Sequence, residues 1–117
     1  MMDEDLEATC AVLKDQWSVR PPAVADADLN WELLIEALAE RIAILLEENP
    51  RKLLTALYVL DIAEWRFKEA MTGPTLQARA RSLAQTILER ETEKIRTRRK
   101  YAGQARQGIT DESRRGR

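Results

Sequence analysis

The prolines of this chain fall between its periodic apolar segments and never inside one. Pro21, Pro22 and Pro74 stand where a helical rhythm stops, and Pro50 stands where one starts. A proline within a helix deletes a hydrogen bond and clashes with the preceding turn, so this placement leaves the intervening segments to helices. Only 4 Gly accompany the 4 Pro in 117 residues, which favours a few long helices over many short, turn-linked elements.

Each segment carries its own signature. Over residues 3–18, Leu6, Cys10, Leu13 and Trp17 lie along one face of a helix. Residues 20–29 hold Pro21-Pro22 and read as a linker. Asn30 is an N-cap for a helix to Glu48, whose stripe is Trp31, Ile35, Leu38, Ile42 and Leu45. Asn49-Pro50 opens a short helix through Leu53, Leu54, Leu57, Tyr58 and Leu60, since proline at the first helical position loses no bond. Asp61-Ile62-Ala63-Glu64 has capping-box spacing and predicts Asp61 as the cap of a helix from Ile62. Thr72-Gly73-Pro74 ends that helix, with Gly73 in the left-handed region.

A last helix starts near Thr75 and packs Leu76, Ala80, Leu83, Ile87 and Leu88. Beyond Leu88 its apolar residues thin to Ile95 and Tyr101 among dense charge, so its second half is expected to project past the core. From Gly103 no period survives. The predicted fold is an all-α bundle of four to five helices spanning residues 1–101, with a long C-terminal helix and a disordered basic tail over 102–117.

Composition narrows the function. Hydrophobic residues make up 44% and charged residues 33%, enough for one modest core beneath a charge-laced surface. With Cys10 the single cysteine, an intramolecular disulfide is impossible and the cytoplasm is the expected compartment. The acidic start, Met1 to Glu7, is unlike a signal peptide, and no apolar run approaches a membrane span. Histidine is absent, which removes the commonest acid/base group near neutral pH and the commonest zinc ligand.

Cys10 on an apolar stripe, with no histidine to activate it, reads as packing. The carboxylates one turn apart, Glu32/Glu36, Glu36/Glu40 and Glu89/Glu93, read as solvated helix faces, because bundle metal sites add histidines to such pairs. Neither clustered glycines nor strands are present to cradle a phosphate. These readings predict no enzyme, no metal, no cofactor and no small-molecule substrate.

Two surfaces remain as functional candidates. Residues 1–88 hold 9 Lys/Arg against 15 Asp/Glu, and residues 89–117 hold 10 against 5, so an acidic body ends in a basic segment. Lys94, Arg96, Arg98, Arg99 and Lys100 form a candidate polyanion site, because clustered cations gain affinity for phosphates by releasing counterions. The two short helices around Asp61 also suggest a helix-turn-helix with Arg66, Lys68 and Glu69 outermost, although the link lacks glycine and Trp65 and Phe67 look like packing.

The second candidate is a protein interface. Trp17, Trp31, Trp65 and Phe67 exceed what one small core needs, and self-association is the common way to cover a leftover apolar stripe. The first helix, tethered by its linker, is the expected docking element. The run Leu57-Tyr58-Val59-Leu60-Asp61-Ile62-Ala63-Glu64, with Thr97-Arg98-Arg99-Lys100-Tyr101 later, resembles small uncharacterised bacterial helical proteins. That resemblance implies a bacterial cytosolic helical protein and brings no activity with it. The functional expectation is a self-associating interaction module or adaptor; nucleic-acid binding through the basic end is the alternative.

Overall fold

A computed structural model describes residues 4–20, 24 and 28–115, with side chains through residue 102. Five helices are present among them: α1 (Glu4–Gln16), α2 (Trp31–Glu48), α3 (Pro50–Val59), α4 (Glu64–Ala70) and α5 (Leu76–Arg115). The all-α reading holds, with no strand among the described residues. None of these helices is long and apolar enough to cross a membrane.

Local chemistry sets most boundaries where the sequence places them. Asn30 accepts from the Leu33 amide at 3.0 Å, and Asn49 accepts from the Lys52 amide at 3.3 Å ahead of Pro50. Thr75 caps α5 by accepting from the Ala78 amide at 3.0 Å. Each cap satisfies an amide that the first helical turn leaves without a partner.

Two local expectations are corrected. Asp61 does not cap α4, which starts after Ala63 with no side-chain cap. Instead Asp61 ends α3 in the left-handed region at φ 59°. Its amide donates to the Tyr58 carbonyl at 3.0 Å and the Ile62 amide to the Leu57 carbonyl at 3.1 Å, the reciprocal pair that closes a helix by the Schellman pattern. The exit requires φ > 0 at that position, and this requirement outweighs the capping-box spacing. Gly73, for its part, is not left-handed. A Cβ there would lie 3.1 Å from the Arg79 backbone nitrogen, so the glycine serves close approach to the first turn of α5. At the C-terminus, the backbone of α5 runs on as helix past residues 101 and 102, through Arg115. Side chains from Gly103 onward lie outside the described residues.

α5 is the spine. At about 1.5 Å per residue its 40 residues span about 60 Å, the long dimension of the molecule. α2 lies antiparallel along it, contributing Leu34, Leu38, Ile42 and Leu45 against Ala80, Leu83, Ala84, Ile87 and Leu88. Each such leucine or isoleucine, 0–5% exposed, stabilises the fold by about 1.5–3 kcal/mol. α3 folds back on α2 through Leu53, Leu57 and Leu60, and Arg90 of α5 fixes its end by donating to the Leu60 carbonyl at 2.7 Å. α1 adds Leu6, Leu13 and Trp17 to the same core.

Between α1 and α5 runs a polar seam. Thr9 and Thr92 share a buried hydrogen bond at 3.3 Å. Trp17 Nε1 donates to Glu91 Oε2 at 2.8 Å, with Glu91 only 3% exposed. Arg41 of α2 donates to the Trp17 carbonyl at 3.1 Å and ties the three helices at one point. Apolar burial leaves α1 in any of several registers; these paired polar groups specify one.

Candidate functional site

The four aromatic candidates separate into different environments. Trp17 is 6% exposed and donates to Glu91, which places it in the core of this chain. The apolar stripe of α1, the docking element expected from the sequence, is covered by α5 of the same chain. Phe67 is half-buried and packs on the core from α4. Trp31 is half-buried beside Ile35 and walls an open groove of about 600 Å³, with Leu88, Thr92 and Arg96 of α5 opposite. Trp65 alone of the four stands out into solvent, 64% exposed.

Other large apolar side chains are exposed as well, among them Leu54 and Tyr58, which the sequence pattern assigns to packing. Leu54, Tyr58 and Val59 of α3 are 50%, 85% and 70% exposed, so the outer side of α3 and the start of α4 present four large apolar or aromatic side chains. The sequence does carry the signal. Leu57-Tyr58-Val59-Leu60 is an unbroken apolar run, and at about 100° per residue such a run cannot fit one helix face. Leu57 and Leu60 take the core, which turns Tyr58 and Val59 outward.

The basic candidates separate as well. Arg96 Nε donates to Asp5 Oδ2 at 2.8 Å, and Arg99 reaches Asp5 Oδ1, with Glu4 Oε2 at 3.8 Å. The hydrogen bond from Arg96, with the charge of Arg99 beside it, holds the Asp5 carboxyl below its ordinary value, against a partial opposing effect of burial. α1 therefore brings its acidic first turn against the basic stretch and neutralises two of its five cations. Lys94, Arg98 and Lys100 have no ion-pair partner among the described residues, and Arg98 and Lys100 are exposed.

Glu32, Glu89 and Glu93 of the acid pairs each meet a cation. Glu32 pairs with Arg81, Glu89 with Arg66 at 2.9 Å, and Glu93 with Arg90 at 3.2 Å. No group of acids and cysteine among the described residues is placed to hold a metal ion. Of the outer residues of the helix-turn-helix reading, Arg66 pairs with Glu89, and the exposed Lys68 lies 3.4 Å from Glu64. With seven residues, α4 is also short for a recognition helix. The chain matches no protein-family model, no curated protein and no solved structure.

Proposed function

We propose that this protein is an interaction module that self-associates through the outer surface of α3 and the start of α4. One observation carries the reading: Leu54, Tyr58, Val59 and Trp65 are at least half exposed, although the chain has apolar material enough to bury a core without them. Single exposed leucines are ordinary, but two aromatics and two aliphatics on consecutive short helices are a cost in solubility unless something covers them. Tyrosine and tryptophan are also the residues that most often anchor interfaces, because they bury a large area with few rotors to freeze. The basic end of α5 is the weaker candidate, because Arg96 and Arg99 already have carboxylate partners in α1.

Sedimentation equilibrium across a concentration series tests the proposal, with the wild type beside Tyr58→Ser and Trp65→Ser. A true anchor lost from the interface weakens association by about 2 kcal/mol, or roughly 30-fold in Kd. Association should persist at high salt, since apolar burial is not screened. A wild type that remains monomeric at every accessible concentration would refute self-association.

A further inference from the structure

The exposed stripe of α3 has a charge pattern that matches its own reverse. Arg51, Leu54 and Tyr58 follow one another at intervals of three and four, which is the spacing of a single helical line, and Asp61 stands just past its C-terminal end. All four are exposed. Leu60 is the C-cap of α3, and Asp61 follows it in the turn that closes the helix. From one end of α3 to the other the exposed order thus reads cation, apolar, aromatic, anion.

Those charges are misplaced for their own helix. Arg51 lies in the first turn of α3, where the helix dipole favours anions, and Asp61 lies just past the last turn, where it favours cations. Neither side chain has an ion-pair partner among the described residues. Local placement that opposes the local field points to a role beyond the monomer.

We infer that α3 pairs antiparallel with α3 of a second copy about a twofold axis that crosses the helix midway between Leu54 and Tyr58, setting Arg51 against Asp61 of the partner copy and Leu54 against its Tyr58. This rests on the self-association reading and specifies its geometry. The pairs close arithmetically, because 51 with 61 and 54 with 58 share one midpoint. In an isologous contact each pair occurs twice, so the contact holds two ion pairs and two apolar contacts. Antiparallel packing also brings each Arg51 to the negative end of the facing helix and each Asp61 to its positive end, which removes both misplacements together. A parallel arrangement would set like charges side by side, and a partner of one charge sign would satisfy only one end of α3.

Charge reversal in the full-length chain tests the pairing by sedimentation equilibrium. R51E sets Glu against Asp61 twice, and D61R sets two cations together twice; each is expected to raise Kd about tenfold at low salt. R51E/D61R restores opposite charges and should return Kd to near the wild-type value. An equimolar mixture of the two single variants should dimerise more tightly than either alone, because both ion pairs re-form in the heterodimer. Should arginine disturb the left-handed backbone at 61, R51E/D61N provides the rescue with a residue that tolerates it, and its Kd should fall below that of R51E. A dimer indifferent to every one of these changes but lost in Tyr58→Ser overturns the pairing while leaving self-association standing. A monomeric wild type overturns both and assigns the stripe to a different protein.

Discussion

Replacing Trp17 with phenylalanine isolates what holds α1 in place. The indole Nε1 donates to Glu91 Oε2 at 2.8 Å, and donor and acceptor residues are 6% and 3% exposed, so water cannot take over the bond. A hydrogen bond to a charged group contributes about 1.5–3 kcal/mol, and the loss rises when the charge left behind is buried. The smaller ring adds about 1 kcal/mol in lost packing. Trp17→Phe should therefore cost about 3 kcal/mol. The Arg41 bond survives the change, since it is made to the Trp17 backbone carbonyl. Urea unfolding followed by far-ultraviolet circular dichroism reads the loss as a midpoint shift of about 1.5 M, for a slope near 2 kcal/mol/M. Glu91→Leu supplies the second arm of a double-mutant cycle. Once the carboxylate is gone, Trp17→Phe should cost at least about 1 kcal/mol less than it does in the wild type. Additivity within about 0.5 kcal/mol would mean that the seam holds no energetic coupling, and the account of α1 given above would fail.

Two further outcomes follow from named residues. Asp61→Gly relieves a non-glycine residue at φ 59° and removes an anion from the negative end of α3, so the monomer should gain about 1 kcal/mol, measured by thermal melting at low concentration. The same change should weaken dimerisation, since it deletes the anion of the proposed pair. Asp5, whose carboxyl is held below its ordinary value of 3.8 by Arg96 and Arg99, contributes stability that is present above that value. The contribution disappears as pH falls through the lowered value. Asp5→Asn should accordingly be less stable than the wild type at neutral pH and converge with it in acid, and a gap independent of pH would contradict the ion-pair account.

The chain's own periodicity determined its helices. Asn30, Asn49 and Thr75 cap where they stand because capping is a local matter of one side chain and an amide a few residues on. The stripes of α2 and α5 are legible for the same reason, since a 3.6-residue repeat survives without knowledge of the partner surface. What sequence could not settle was competition between surfaces. Leu6, Leu13 and Trp17 form an apolar stripe whether α1 covers its own α5 or another molecule, and only packing decided for α5. Arg96 and Arg99 read as a polyanion site until Asp5, more than ninety positions away in the chain, closes on them. Asp61 fitted a capping box until the exit of α3 demanded φ > 0 at that position. In each case a short-range pattern admitted two outcomes, and the choice lay in contacts between residues far apart in sequence, which exist only once the chain has folded.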